Sequence, residues 1–154
     1  MQTIYREEQG FGAISIILIV EAIAVCALVI GIDYSQGSWK GSAIAVPLIL
    51  LVNGFILYIR LITEIDNQHI QFAMRPFVKK TIYWQDVEKA EVINYGWVGG
   101  WGLRKSRKYG TVYNTSGSKG LHLVLKNGEQ MIIGTQKEKE LRTYIEQLQR
   151  QKEQ

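Results

Sequence analysis

Two long apolar runs come first in this chain, and alternating segments follow them. Residues 11–32, FGAISIILIVEAIAVCALVIGI, hold one charged side chain, Glu21. Residues 43–62, AIAVPLILLVNGFILYIRLI, hold one, Arg60, near the far end. At about 1.5 Å of rise per residue each run makes a helix of about 30 Å, the thickness of a bilayer's hydrocarbon core. A helix on the surface of a soluble protein carries a polar stripe, and neither run has one. Both are predicted to be transmembrane helices, over about 11–32 and 43–62, joined by the polar turn 33–42 into a hairpin. Tyr34 and Trp39 in that turn suit the headgroup boundary. Pro47 falls near the predicted start of the second helix, where a missing amide is best tolerated. Met1–Gln9 reads as a short polar tail. The first run is longer than the apolar core of a secretory signal, and its near-neutral tail lacks the positive n-region. It is therefore expected to stay in the chain.

From Thr63 the period changes to two. Ile65, Ile70 and Phe72 alternate with polar residues about the turn Asp66-Asn67-Gln68, which predicts a hairpin. Further strands are predicted over 80–85 and 87–95. Leu121, Leu123 and Leu125 alternate along the next, and Asn127-Gly128 predicts a type I′ turn into a return strand over 129–134. Thr135 and Glu138 have capping-box spacing. After them Leu141, Tyr144, Ile145 and Leu148 form one apolar stripe, so a helix is predicted over about 136–150. The expected division is a tail and helical hairpin over 1–62 and a soluble domain of six or seven antiparallel strands and one helix over 63–154.

Charge adds an orientation. The chain has 154 residues and a net charge of +4. Its second part, 63–154, carries fifteen Lys and Arg against ten Asp and Glu. That excess suits a domain near an anionic lipid surface and does not by itself indicate nucleic acid. The turn between the apolar runs carries only Lys40, whereas Arg60, Arg75, Lys79 and Lys80 follow the second run. The positive-inside tendency puts both termini in the cytoplasm. A lone cysteine, Cys26, excludes an intrachain disulfide.

Two places could carry function. Glu21 and Asn53 lie mid-run and reach the same depth in an antiparallel hairpin. A neutral Glu21 hydrogen-bonded to Asn53 would lower the cost of a buried acid, within one chain or between two. The other place is 96–119, GWVGGWGLRKSRKYGTVYNTSGSK, which reads as a long irregular loop. Its Trp97, Trp101, Arg104, Lys105, Arg107 and Lys108 are the candidate lipid- or partner-binding residues. The same residues also fit strand positions and a solvated hairpin tip. Catalytic signals are missing. Gly100-x-Gly102 and Gly117-Ser118-Lys119-Gly120 lack the full spacing of a dinucleotide or phosphate loop. His69 and His122 have no ligand spacing to a Cys or another His, and no serine sits in a nucleophile elbow. No metal, cofactor or small-molecule substrate is indicated.

Trp101-Gly102-Leu103-Arg104, Gly120-Leu121-His122-Leu123, Lys126-Asn127-Gly128-Glu129 and Ile133-Gly134-Thr135, with the final helix, resemble the bacterial pleckstrin-homology-like domains over about 63–150. The resemblance implies an α+β membrane protein: two transmembrane helices, then a strongly bent antiparallel sheet, nearly a barrel, capped by the C-terminal helix. Two features depart from eukaryotic relatives. The first hairpin turn, Asp66-Asn67-Gln68, is acidic where their lipid-reading basic pattern belongs, and their final-helix Trp is missing. The expected function is a non-enzymatic interaction module on the bacterial inner membrane, contacting membrane lipids and a protein partner or further copies of itself. The alternative is an accessory subunit of a membrane transport or assembly complex that oligomerises through its helical hairpin.

Overall fold

The computed structural model describes residues 5–152. The chain is α+β, with nine strands and three α-helices among the described residues. It divides into two units, one of residues 11–59 and one that joins 5–10 to 60–152.

The first unit is the helical hairpin. α1 spans Ala13–Ser35 and α2 spans Lys40–Tyr58, both long and apolar enough to cross a membrane. Their apolar side chains point outward: Ile16, Ile23, Leu28, Ile44 and Leu51 are all more than 60% exposed. The Asp33 carboxylate accepts from the Ser42 amide at 2.6 Å and its hydroxyl at 2.7 Å, which ties the end of α1 to the first turn of α2. Because α2 starts at Lys40 and not at 43, Pro47 lies two turns inside it.

Three sequence expectations fail at the edges of this hairpin. The second helix does not run to 62. Ile59 turns extended, and Arg60–Ile65 is a strand, β2, with alternate residues buried. Its Leu61 and Ile62 are indistinguishable in sequence from the helical run because both elements are rich in aliphatic residues. Nor is the N-terminal segment a free tail. Tyr5–Gln9 is a strand, β1, paired antiparallel with β2 from Tyr5↔Ile65 to Gln9↔Leu61. The boundary expected at 62/63 thus falls inside β2.

The first sheet continues with β3, His69–Arg75, and β4, Val78–Tyr83, in the order β1-β2-β3-β4. The second sheet holds β5 (Val87–Asn94), β6 (Gly102–Ser106), β7 (Gly110–Asn114), β8 (Lys119–Leu125) and β9 (Gln130–Gly134) in the order β5-β8-β9-β7-β6. Two of its strands lie in the segment 96–119 expected to be irregular. One of its pairs, β7 with β9, is parallel, against the expectation of antiparallel strands throughout. The strands form two sheets, not one closed barrel. The β8–β9 hairpin forms as expected, with a different turn. The Gly128 amide donates to the Leu125 carbonyl, only Gly128 has positive φ, and Asn127 does not. That is a type I turn closed by a left-handed glycine, not type I′.

The core lies between the sheets and under the last helix. Leu61, Ile65, Ile70, Phe72 and Met74 are buried from the first sheet, and Val112, Leu121, Leu123, Met131 and Ile133 from the second. The Phe72 and Tyr113 rings meet across the gap at 4.7 Å. α3, Glu138–Lys152, buries its stripe Leu141, Tyr144, Ile145 and Leu148 against β5 and β8. The Tyr144 hydroxyl donates to the Ile65 carbonyl and so reaches the first sheet as well.

β1 is held by polar side chains. Its inward positions are Tyr5, Glu7 and Gln9, all under 8% exposed. The Glu7 carboxylate accepts from the Tyr5 hydroxyl at 2.6 Å, the Thr135 hydroxyl at 2.7 Å and the Gln136 amide at 2.8 Å. Burial and the bond to Glu7 raise the Tyr5 phenol well above its ordinary pKa. Gln9 donates to the Gly134 carbonyl and accepts from the Thr115 hydroxyl. The Thr135 hydroxyl accepts the Lys137 amide in a local turn just ahead of α3, so it does not act as the expected cap. Glu138 does not complete a capping box, because its carboxylate pairs with Lys119 and Arg142, which hold it below the usual carboxylate range. Glu7 takes that place, a negative charge at the helix start where the exposed amides favour one.

Two predictions follow from β1. Gln9 and Leu61 are opposite one another, and such pairs lie about 5 Å apart. Replacing 11–59 by a tight turn between Gly10 and Arg60 should therefore give a soluble, cooperatively melting domain. The fragment 63–154 alone should melt at least ~10 °C lower or aggregate, as followed by circular dichroism. Equal stability of the two would contradict the placement of β1. Second, Glu7→Ala removes the acceptor of two buried hydroxyls and of the part-buried Gln136 amide. It should cost on the order of 3 kcal/mol in denaturant unfolding of the spliced domain, and a loss below about 1 kcal/mol would show the network is not a structural tie.

Candidate functional site

The segment from Tyr95 to Asn114 is anchored at its base and exposed along its outer strand. Tyr95, Val112 and Ile132 form a buried cluster against which Ile93, Val98 and Tyr109 pack. The Asn114 amide donates to the Tyr95 hydroxyl at 3.0 Å, and burial raises the Tyr95 phenol above its ordinary pKa. At the hairpin tip Gly110 takes a positive φ and its Cα lies against the Gln130 carbonyl, leaving no room for a Cβ. These contacts fix the β6–β7 hairpin against β9.

β6 is the outermost strand of its sheet; it carries Arg104 and Lys105, and the turn after it carries Arg107 and Lys108. Arg104, Lys105, Arg107 and Lys108 are exposed, and among the described residues none has an acidic partner within 4.0 Å. Arg104 folds back to donate to the Trp101 carbonyl at 3.2 Å, and the Lys108 ammonium sits 4.9 Å from the Tyr109 ring centre. Trp97, 70% exposed, meets Trp101 edge-on at 5.3 Å.

The six predicted residues do not form one patch. A strand advances about 3.3 Å per residue, so Trp101 and Arg107 sit at opposite ends of β6, on the order of 20 Å apart. Trp97, Trp101 and Arg104 gather at the base of the hairpin, and Arg107 and Lys108 form its tip. Arg104 and Lys105 point to opposite faces, as successive strand residues do. What they share is an unpaired strand edge ringed with positive charge. Lysine and arginine on an edge also discourage unwanted sheet extension.

Glu21 and Asn53 do share a groove. They line a cavity of about 420 Å³ between α1 and α2, together with Leu18, Ala22, Val25 and Val52. Within one chain the bond between them is not formed; pairing between two chains is the other form of that expectation. The Asn53 amide donates instead to the Ile49 carbonyl of its own helix at 3.0 Å, and Glu21 is exposed.

The histidines are accounted for locally. His69 lies 3.2 Å from the Asp66 carboxylate. His122 is nearly buried, with Nε2 at 3.2 Å from Gln130, Nδ1 at 3.6 Å from Glu91 and its ring edge-on to Tyr109 at 5.5 Å. Lys89 bonds the Glu91 carboxylate and lowers its pKa. Among the described residues no group of three His, Cys, Asp or Glu could hold a metal ion.

Sequence reasoning missed a second cationic cluster, Arg60, Arg75 and Lys79 with exposed Phe77. Only the strand register brings Arg60 and Arg75 together, so spacing along the chain gave no signal.

No protein-family model matches the chain, and neither a characterised protein nor a solved structure aligns with it significantly.

Proposed function

We propose that the chain is a non-enzymatic, membrane-anchored interaction module at the cytoplasmic face of the bacterial inner membrane. The helical hairpin spans the bilayer with both termini inside, and the pleckstrin-homology-like domain binds a protein partner or an anionic lipid surface through its β6–β7 hairpin. One observation carries this reading: four exposed cations without acidic partners among the described residues, on an outermost strand and its turn. Three others support it. The outward-facing apolar side chains of α1 and α2 are what lipid would cover. Basic residues after α2 outnumber those in the turn between the helices. A largely antiparallel β domain ending in a helix with a buried stripe agrees with part of what the pleckstrin-homology-like resemblance implies, although its strands form two sheets and not the single bent sheet expected.

The test uses the spliced domain described above, 5–10 joined to 60–152. Each basic residue near an anionic surface is worth about 1 kcal/mol. Changing Arg104, Lys105, Arg107 and Lys108 to Glu should therefore weaken its co-sedimentation with anionic liposomes, or with its protein partner, by about 100-fold or more at physiological salt. Unchanged binding to both removes the hairpin from the account.

The groove holding Glu21 and Asn53 favours a second reading, an accessory subunit of a membrane complex that oligomerises through α1 and α2. An ionisable side chain in a span marks a function or a partner. Native mass spectrometry from lipid should then show an oligomer that survives Glu21→Gln and dissociates in Glu21→Leu. An oligomer indifferent to Leu, or a monomer throughout, counts against it.

A further inference from the structure

The two ends of the first sheet differ in charge, and the connectivity gives that difference a meaning. Gln9 pairs with Leu61, Leu61 with Met74, and Met74 with Val78. The end of β1, the start of β2 and the β3–β4 turn therefore lie together at one end. The Asp66-Asn67-Gln68 turn lies at the other, where Asp66 accepts the amides of Gln68 and His69. The chain passes to both apolar helices from the first end. Residues 10–12 separate β1 from α1, and Ile59 alone separates α2 from β2. Linkers this short reach no more than ~15 Å, so this end cannot stray far from a bilayer that the helices span.

That end is partly apolar and carries three cations against one exposed acid, Glu8, which lies in the same cross-strand row as Lys79. Arg60 and Arg75 are direct cross-strand partners, both exposed. Like charges placed opposite one another cost stability. Neither has an acidic partner within 4.0 Å among the described residues, and nor has Lys79. Elsewhere on the same outer face a cross-strand charge pair is complementary, Arg6 with Glu64 at 3.2 Å. The arginine pair is thus the exception, and an external anion would resolve it. Beside it Phe77 is 56% exposed. Arg75, Phe77 and Lys79 border a groove of about 250 Å³ with Ile62 and Ala73.

We propose that Arg60, Arg75, Lys79 and Phe77 form a bilayer-docking site, separate from the β6–β7 hairpin. The two guanidinium groups and the ammonium take phosphates of anionic lipids, and the Phe77 ring enters the boundary between headgroups and acyl chains. Guanidinium suits this task because its planar fork of donors matches phosphate oxygens. The far turn carries Asp66 and no basic residue, so the site also sets which end of the domain meets the surface. This inference rests on the reading of α1 and α2 as spans.

The test keeps the full chain. In a Cys26→Ser background, single spin labels are introduced by Val20→Cys, Asn67→Cys and Phe77→Cys. The chain is placed in nanodiscs of phosphatidylcholine, with or without phosphatidylglycerol. Collision with oxygen and with a water-soluble nickel chelate then reports depth. The label at 20 should be lipid-accessible, and the label at 67 water-accessible. The label at 77 should be shielded from nickel severalfold relative to 67 in anionic discs, and less so in neutral ones. Arg60→Gln, Arg75→Gln and Lys79→Gln together should return it to the value at 67. These changes relieve the arginine repulsion, so loss of folding is not expected, and circular dichroism checks it. If 77 is as nickel-accessible as 67 while 20 stays in lipid, docking is wrong and the spans stand. If 20 is itself in water, the spans and the docking site fail together.

Discussion

The Glu7 carboxylate, bonded to Tyr5, Thr135 and Gln136, is the tie on which the arrangement depends. It fixes the N-terminal strand to the start of the last helix, so the chain's two described ends close the β domain together. Besides this tie β1 is held by its ladder with β2, by the Gln9 bonds to Gly134 and Thr115 and by the buried Tyr5 ring, since its inward face offers a carboxylate and an amide in place of aliphatic surface. A buried carboxylate is tolerated only when its oxygens are fully bonded. Here three donors and the start of a helix meet that condition.

From this tie follows the organisation of the whole chain. The apolar hairpin is not a leader in front of a domain. It is an insertion between two neighbouring strands of that domain, entered from Gln9 and left at Arg60. Two covalent connections from one end of one sheet restrain the domain more tightly than a single linker would. The β6–β7 hairpin belongs to the other sheet, and its basic tip lies at the far end of β6 from the tryptophan pair.

Much of the architecture was legible because it rests on apolar periodicity. The two long runs, the alternation from Ile65 onward and the stripe Leu141–Leu148 each gave the right type of element. What escaped did so for physical reasons. In sequence β1 looks like a tail because two of its three buried positions are Glu7 and Gln9, so YREEQ shows no apolar alternation, and their burial is satisfied by partners more than a hundred residues away. β2 was absorbed into the helix before it because leucine and isoleucine serve both. The hairpin inside 96–119 was hidden because β6 is an edge with little to bury, and its glycines suggested irregularity. The cationic residues of that hairpin were visible in sequence, but their separation along a strand was not. Arg60 and Arg75, fifteen positions apart in the chain, become neighbours only through register.

Hydrogen–deuterium exchange of the full-length chain in nanodiscs tests the central claim most directly. Amides of residues 5–9 that pair with β2 should be protected to the same degree as those of β2 and β3, opening only with the whole β domain. Exchange in that segment at the rate of an unstructured tail, with β2 and β3 still protected, would contradict the account.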